Sequence, residues 1–337
     1  TLFNYLDLLG EPKPGDRPWQ DRATNLNWKR IAERGKGKPT FASVAGDALD
    51  QVKPFIDRLG SPIGIASYRP AHATGEDFLH NFLGMIGIPI ELYPSFPKDA
   101  GVILITESAK SDPTVVANVK ASLEAGKTVI LTSGLVRALR GKGMDDLVEL
   151  RMTGMQEPVT SFIGAFGPGA GTGLGSASSP IFFPQIRFLT NDAWPVIRGI
   201  ADNNAFPILL MNEYGKGKLF VLTIPANFTD LYEMPEPALN AIRSYVMGDF
   251  PVRIEGPAKV SLFAYDNGSF IVESFRDEPA TVTLLIPQGS SVTNLVSGER
   301  LTEVTGGEHP QEGNARHVSA YKVEVQPHSY MVFTTRK

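Results

Sequence analysis

Residues 100–134 read AGVILITESAKSDPTVVANVKASLEAGKTVILTSG, and this stretch decides the fold class. It contains an apolar run at 102–106, an amphipathic segment at 113–124 and a second apolar run at 128–132. Short, continuous apolar runs are typical of strands that are buried on both faces of a parallel sheet. The stretch therefore predicts a strand, a crossover helix and a parallel strand, joined with the usual right-handed connection.

Segments on either side extend this pattern. Further strands are predicted at 61–67 and 88–93, helices at 77–85 and 236–247, and a hairpin within 206–225 (FPILLMNEYGKGKLFVLTIP), whose turn is Gly-Lys-Gly. Alternating strands and helices indicate a parallel sheet covered on both faces. We predict an α/β domain with a flavodoxin-like parallel sheet over residues 51–250.

The pattern changes after residue 251. Short, often alternating segments at 260–265, 269–274, 281–286, 321–325 and 330–334 are separated by Asp-Asn-Gly, Pro-Gln-Gly and Ser-Gly turns. They predict a small antiparallel β-sandwich over 251–337. Residues 1–50 are polar and interrupted by prolines, and are predicted to be a linker or the remnant of a preceding domain. The glycine-rich residues 164–175 (GAFGPGAGTGLG) are predicted to form a long mobile loop.

Composition excludes several functions. The 337-residue chain has a net charge of −4 and no basic run, so it lacks the electrostatic footprint of a nucleic-acid or anionic-membrane binder. With no cysteine, it forms no disulfide, thiolate nucleophile or cysteine-ligated zinc site. Its five histidines have no metal-ligand spacing, and neither common nucleotide-binding glycine motif is present. No apolar stretch has the roughly 20 residues of a membrane span. We predict no metal and no cofactor. The first residues, TLFNYLDLLG, lack an initiator Met and indicate a processed or excised start.

One loop collects most of the candidate site residues. It follows the first strand of the sheet, at the carboxyl edge where open α/β sheets bind ligands, and it contains Tyr68, Arg69, His72, Glu76, Asp77 and His80. Thr74 and Asp77 resemble a capping box for the helix at 77–85. Glu107 ends a buried strand and faces the same edge. Three interpretations stay open for these residues: helix capping with a solvated helix start, contact with a ligand or partner, and catalysis.

The catalytic interpretation has little support in the sequence. Ser133 follows a buried strand, but it lacks the G-x-S-x-G motif that exposes a nucleophilic serine at such a turn. Glu76 and Asp77 are adjacent in sequence, so on a helix they point in different directions and make a poor acid/base pair. We therefore assign no catalytic residue, and we expect ligand or partner contacts at Tyr68, Arg69, His72, Glu76, Asp77 and Glu107.

The order of several elements carries a family resemblance. They are residues 125–136 (AGKTVILTSGLV), 214–225 (YGKGKLFVLTIP), 265–287 (YDNGSFIVESFRDEPATVTLLIP), 295–303 (LVSGERLTE) and 323–337 (VEVQPHSYMVFTTRK). Together they resemble the last two domains of family-42-type β-galactosidases and related glycoside hydrolases. In that family a catalytic barrel is followed by a trimerisation domain, whose fold is like that of class I glutamine amidotransferases, and by a small β domain.

The resemblance implies that this chain is the non-catalytic C-terminal portion of a carbohydrate-active enzyme. A barrel needs about 250 residues, and residues 1–50 do not supply them, so no catalytic residue is carried over. The implied partners are carbohydrate or a catalytic barrel domain, with a homo-oligomer as the assembly. Export from a bacterium is favoured by the resemblance alone, and the compartment stays open. Two alternatives remain: a stand-alone carbohydrate-binding or interaction protein, and a free-standing hydrolase that uses His72, Glu76 or Ser133.

Overall fold

The structure, a computed structural model, describes residues 27–37, 40–188, 193–304 and 318–336. A nine-stranded mixed sheet flanked by helices occupies the centre of the chain, and two smaller antiparallel sheets follow it. Most of the segment predicted as a linker or remnant lies outside the described residues. Two helices are described before the sheet, α1 (Trp28–Arg34) and α2 (Phe41–Ile56).

The large sheet has one parallel and one antiparallel half. Its strands are β2 (Ile65–Tyr68), β3 (Ile90–Tyr93), β4 (Val102–Ile105), β5 (Thr128–Thr132), β6 (Leu150–Gly164), β7 (Gly173–Phe188), β8 (Trp194–Ala201), β9 (Asn204–Tyr214) and β10 (Gly217–Leu222). The spatial order is β3-β2-β4-β5-β10 for the parallel strands, continued by β9-β8-β6-β7 with antiparallel pairing. The predicted parallel sheet therefore covers one half of the observed sheet, and of the antiparallel half the sequence predicted only the pairing of β9 with β10.

Short turns explain the antiparallel half. β8 and β9 are joined by Asp202 and Asn203 alone, both with positive φ (46° and 64°). Two such residues are typical of a tight hairpin turn, and a parallel connection needs a dozen residues or more. The predicted hairpin around Gly215 is confirmed, since β9 pairs with β10 from Tyr214↔Gly217 onwards.

The helices that flank the sheet are α3 (Leu79–Met85), α4 (Val115–Glu124), α5 (Ser133–Ala138) and α6 (Glu236–Met247). The last of these has the bounds predicted from the sequence. α3 begins two residues later than predicted, and the expected capping box of Thr74 and Asp77 does not form. Phe78 is the N-cap instead, with φ 67° and no side-chain capping bond, because the preceding loop turns through left-handed conformations.

β6 and β7 form a long hairpin arm. The loop predicted at 164–175 is present but shorter, because the connection spans 165–172 while Gly164 belongs to β6 and Gly173 and Gly175 belong to β7. Pairing across the hairpin, including Ile163↔Gly173 and Ser161↔Ser176, supplies the hydrogen bonds that the local sequence does not favour. Long-range pairing here outweighs the low strand propensity of glycine and serine.

Two facing sheets form the C-terminal β-sandwich. Its strands are β11 (Arg253–Glu255), β12 (Val260–Tyr265), β13 (Ser269–Ser274), β14 (Ala280–Pro287), β15 (Ser291–Asn294), β16 (Val318–Val325) and β17 (Ser329–Arg336). One sheet has the order β11-β14-β16, and the other β1-β12-β13-β17-β15, where β1 is Pro62–Ile63. On the second sheet the ring of Phe55 in α2 packs edge-on against Tyr330, with centroids 5.8 Å apart. Residues before the large sheet thus contact the sandwich. The domain boundaries at 50/51 and 250/251 remain predictions from the sequence.

Candidate functional site

A cleft of about 400 Å³ opens where the parallel strands end, and we call it the carboxyl-edge cleft. Three parts of the chain line it: the ends of the parallel strands (Glu76, Glu107, Ser133, Gly134, Arg137), the β6–β7 arm (Met152, Gly154, Met155, Gln156, Pro184, Gln185) and the segment after β10 (Ile224, Pro225, Ala226, Phe228). A bulge in β6 between Met152 and Gln156, with Gly154 at φ 84°, bends the arm at this wall. Bulges commonly serve to re-aim side chains next to a site.

Glu76 lines the cleft, and its carboxylate accepts three hydrogen bonds. Its Oε2 accepts hydrogen bonds from the backbone N–H of Glu107 at 2.8 Å and from the hydroxyl of Thr132 at 2.5 Å. The backbone N–H of Gly134 is a third donor. Burial raises the pKa of Glu76, as does the neighbouring charge of Glu107, while these hydrogen bonds oppose the rise. The side chain ties its own loop to the ends of β4 and β5.

The loop that carries Glu76 has an unusual backbone. His72, Glu76 and Phe78 have positive φ values of 58°, 46° and 67°, and Gly75 has 122°. Left-handed conformations are disfavoured for residues with a Cβ, and most of all for a bulky residue such as Phe78. The three hydrogen bonds to Glu76 tie this loop to the sheet edge, as does the hydrogen bond from the backbone N–H of Arg69 to the carbonyl of Tyr93.

Glu107 is the second carboxylate of the cleft. It is 17% exposed, and its Oε1 accepts a hydrogen bond from Lys110 Nζ at 3.0 Å. Arg137 Nη2 lies 3.9 Å from Oε2, which is too long for a direct hydrogen bond, and the Arg137 side chain is 65% exposed. The Arg137-facing side of Glu107 therefore has hydrogen-bonding capacity to offer the cleft.

Ser133 and Gly134 have structural roles at the start of α5. Ser133 is buried, and its Oγ accepts the backbone N–H of Ile224 at 3.0 Å, so it joins α5 to the strand end of β10. A Cβ on Gly134 would lie 2.3 Å from Glu76 Oε1, which requires a residue without a side chain at this position. This contact between Gly134 and Glu76 joins residues far apart in the chain, and the sequence did not predict it.

The other predicted contact residues are not in the cleft. Tyr68 is buried, and its hydroxyl donates to Asp112 Oδ2 at 2.8 Å. Burial, with this hydrogen bond to a carboxylate, raises the pKa of Tyr68 to about 12. Arg69 pairs loosely with Asp77 at 3.6 Å, and His72 is exposed. The fold thus brings Glu76 and Glu107 together, and none of the other four predicted residues lines this cleft.

A buried serine–histidine pair lies beneath the loop. Ser67 Oγ and His80 Nε2 are 2.9 Å apart, with Ser67 fully buried and His80 8% exposed. Burial lowers the pKa of His80 to about 4, helped by the positive charge of Arg69. Since neither residue lines the cleft and Ser67 has no exposed surface, the pair is a structural hydrogen bond. The sequence placed His80 in the loop cluster but did not predict its partner.

An aromatic cluster borders the cleft, and sequence reasoning missed it. The ring of Phe82 stacks on Tyr232 at 5.5 Å and contacts Phe228 edge-on at 5.7 Å. Phe228 itself lines the cleft, and Phe78, one helical turn before Phe82, is 70% exposed. Phe82 and Phe228 are too far apart in sequence for any local pattern to have indicated the contact.

The described part of the chain contains neither a cluster of metal-binding side chains nor a membrane-spanning helix. No group of three or more histidine, aspartate or glutamate side chains is placed there to hold a metal ion. Among the helices described, none has both the length and the apolar character needed to span a bilayer.

Two protein families match parts of this chain, and one of them covers the C-terminal sandwich. Residues 251–335 match the family described as "Probable glycosyl hydrolase, C-terminal domain". Residues 60–227 match a second family, described as "Uncharacterized protein SSO3021, second domain". Among curated proteins, none is similar in sequence to this chain. The sandwich is thus similar to a domain of glycoside hydrolases, as the resemblance in the sequence implied.

Three β-galactosidases are among the solved structures that this chain partly matches. The GH42 β-galactosidase Gan42B from G. stearothermophilus matches with a TM-score of 0.48 and 11% identity over 88% of this chain and 44% of its own. The β-galactosidase of Halorubrum lacusprofundi matches with a TM-score of 0.47 and 12% identity, over 89% and 44%. That of Bacillus circulans sp. alkalophilus matches with a TM-score of 0.44 and 11% identity, over 88% and 45%. The chain spans less than half the length of these proteins.

Proposed function

We propose that this chain is the non-catalytic C-terminal portion of a carbohydrate-active enzyme, and that it serves oligomerisation and forms part of the wall of a sugar site. The match of residues 251–335 to a glycosyl hydrolase C-terminal domain is the observation that carries the proposal. In this account the partners are a catalytic barrel domain, carbohydrate and further copies of the chain.

The hydrogen bonding of Glu76 supports a non-catalytic role. A general acid must hold its proton where the leaving group arrives. Glu76 instead accepts from two backbone N–H groups and the Thr132 hydroxyl, and these bonds fix its loop in place. Glu107 contacts Glu76 by donating its backbone N–H to the Glu76 carboxylate, and this hydrogen bond links the two residues at the sheet edge.

The outer strand of the large sheet supports oligomerisation. β7 is at the edge of the sheet, and residues 173–180 (GLGSASSP) carry no charge. Soluble proteins usually prevent pairing at exposed sheet edges with charged side chains or prolines. This stretch contains one such residue, Pro180. Phe182, further along β7, is 47% exposed. We infer that this edge meets a second copy of the chain.

The fold of the central domain fits the same proposal. The five parallel strands are β2, β3, β4, β5 and β10. If they are numbered 1 to 5 in chain order, they lie side by side as 2-1-3-4-5, which is the flavodoxin-like order. That order supports the proposal of a flavodoxin-like unit of the amidotransferase-like kind, extended by the antiparallel strands β6–β9.

Two measurements on the purified chain test the proposal. Light scattering after size exclusion should give an oligomer, and Ser179→Lys, which places a charge on the β7 edge, should shift it toward monomer, while Ser111→Lys on an exposed turn should not. A chain that is monomeric at all concentrations would remove the oligomerisation role. Chromogenic glycosides should not be turned over.

A free-standing hydrolase is the second candidate, because one observation favours it. Glu76, with a raised pKa, shares a cleft with a second carboxylate that is flanked by Lys110 and Arg137. Two carboxyl groups in different environments are what glycosidic cleavage uses. Glycoside turnover that disappears in Glu76→Gln would favour this candidate over the proposed function.

A further inference from the structure

We infer that the carboxyl-edge cleft is itself a binding subsite for one neutral pyranose unit of a saccharide, complete within this chain. The inference rests on the proposed function. It names the class of ligand and the polar and aromatic residues of the cleft that would contact it. It does not require the barrel to complete the site.

The size and lining of the cleft fit a sugar ring. Its volume of about 400 Å³ lies within the range of small-molecule sites, about 300–1,000 Å³. The strand ends supply polar groups, Glu107 and Arg137, while Met155 of the β6–β7 arm and Phe228 of the segment after β10 supply apolar surface. A pyranose has the same division, with hydroxyls around its rim and C–H groups on its faces, so each side of the cleft has a counterpart on the ligand.

The gap between Glu107 and Arg137 fits a hydroxyl. At 3.9 Å, Glu107 Oε2 and Arg137 Nη2 are too far apart for a direct hydrogen bond. A group placed between them must donate to the carboxylate and accept from the guanidinium, and a hydroxyl does both. Hydrogen bonds to ionised groups are also stronger than those between neutral groups. We assign this gap as the polar contact for a sugar hydroxyl.

Phe228 supplies the aromatic face. Its ring is held edge-on against Phe82, which in turn stacks on Tyr232, so the aromatic surface is rigid and loses little conformational freedom on binding. Met155 on the arm is 54% exposed and adds adaptable apolar contact from the other wall. The ring would therefore bind with one C–H face toward Phe228.

Charge selects a neutral ligand. The ionisable residues lining the cleft are Glu76, Glu107 and Arg137, and Lys110 pairs with Glu107 from beside it, so the four formal charges sum to zero when both carboxylates are ionised. Three donors already occupy most of the roughly four acceptor sites of the Glu76 carboxylate, so Glu107 is the carboxylate with more capacity for an incoming donor. An anionic sugar such as a uronate would meet Glu107 at close range, so it should bind more weakly than its neutral counterpart.

Calorimetric titration of this chain with methyl β-D-galactopyranoside, methyl β-D-glucopyranoside and D-glucuronate tests the inference. At least one methyl glycoside should bind, and glucuronate should bind more weakly. Glu107→Gln and Phe228→Ala should each raise Kd about tenfold, as expected for losing about 1.4 kcal/mol. Met155→Ala, on exposed surface, should raise it several-fold without disturbing folding, which circular dichroism checks.

Matched controls lie away from the cleft. Glu213→Gln on β9 and Phe263→Ala on the sandwich change exposed residues of the same types and should leave Kd unchanged. The inference is overturned if neither methyl glycoside binds at its solubility limit, if glucuronate binds best, or if Glu107→Gln and Met155→Ala both leave Kd unchanged. Such a failure differs from failure of the proposed function, which a monomeric chain or intrinsic glycoside turnover would reveal.

Discussion

The guanidinium of Arg243, in α6, donates its Nε–H to the carbonyl oxygen of Ile86 at 2.6 Å, and so joins α6 to the end of α3. Its Nη1 also donates to the carbonyl of Gly256 at 2.7 Å, which lies at the start of the sandwich. Arg243 is 1% exposed, and burial lowers its pKa to about 10, partly offset by Glu236 and Glu255. One buried cation thus bridges the large sheet's helices and the sandwich.

Replacing Arg243 should destabilise the whole chain. Arg243→Met keeps much of the volume but leaves the buried carbonyls of Ile86 and Gly256 without donors, at about 1–3 kcal/mol each. We expect the free energy of unfolding in urea to fall by about 3 kcal/mol. Arg151→Met, on the exposed face of β6, is the control and should change it by less than about 0.5 kcal/mol. A loss no larger than the control's would show that the bridge does not stabilise the fold.

Gly134→Ala should be destabilising although it is a helical position. Alanine normally stabilises a helix by about 1 kcal/mol relative to glycine. Here the new Cβ would lie 2.3 Å from Glu76 Oε1, so the Glu76 side chain must move and lose its hydrogen bonds. Gly84→Ala in α3, where no atom lies within 4 Å of the new Cβ, should be neutral or stabilising. Thermal unfolding of both variants compares them, and equal shifts would contradict the close approach.

Glu76 should matter for stability more than its neighbour. Glu76→Ala leaves the backbone N–H groups of Glu107 and Gly134 and the Thr132 hydroxyl without their acceptor, and should cost about 1–3 kcal/mol of unfolding free energy. Asp77→Ala removes an exposed ion pair to Arg69 and should cost less than about 1 kcal/mol. Urea denaturation distinguishes them. A larger effect at Asp77 would mean that the loop is held by its surface charges.

His80 should make the fold sensitive to acid. Its pKa is about 4 in the folded chain, below the ordinary 6.5, because burial disfavours the imidazolium. Between these values the unfolded chain binds the proton and the folded chain does not, so stability falls as pH falls from 6.5 to 4. The loss is at most about 3 kcal/mol. In His80→Gln, unfolding free energy should depend less on pH across this window, whereas the exposed His72→Gln should retain the wild-type dependence. A profile unchanged in His80→Gln would refute the assignment.

The local pattern of the sequence predicted many elements well. β5, α6, β12 and β13 have the bounds that were predicted, because each is an apolar or amphipathic run closed by turn residues or prolines. The start of α3 was missed, since left-handed backbone at Glu76 and Phe78 follows from tertiary contacts and not from residue type. The extension of β7 through Gly173 was missed for the same reason: its strand depends on pairing with β6.

The candidate site was predicted only in part. Glu76 and Glu107 were placed at the carboxyl edge because both follow buried strands, and that placement needs only the order of strands. Their partners come from elsewhere in the chain. Gly134 meets Glu76 across a long sequence separation, and Phe228 and the β6 bulge close the cleft from distant segments. Such contacts are set by packing, and a single sequence carries no local signal for them.

The central proposal is that this chain is the non-catalytic portion of a carbohydrate-active enzyme and does not itself break glycosidic bonds. The most direct measurement is the release of p-nitrophenol from a panel of p-nitrophenyl glycosides by the purified chain, compared with its Glu76→Gln and Glu107→Gln variants. We predict that none of the three proteins releases p-nitrophenol above the buffer rate. Turnover by the wild-type chain that is lost in either variant would contradict the account.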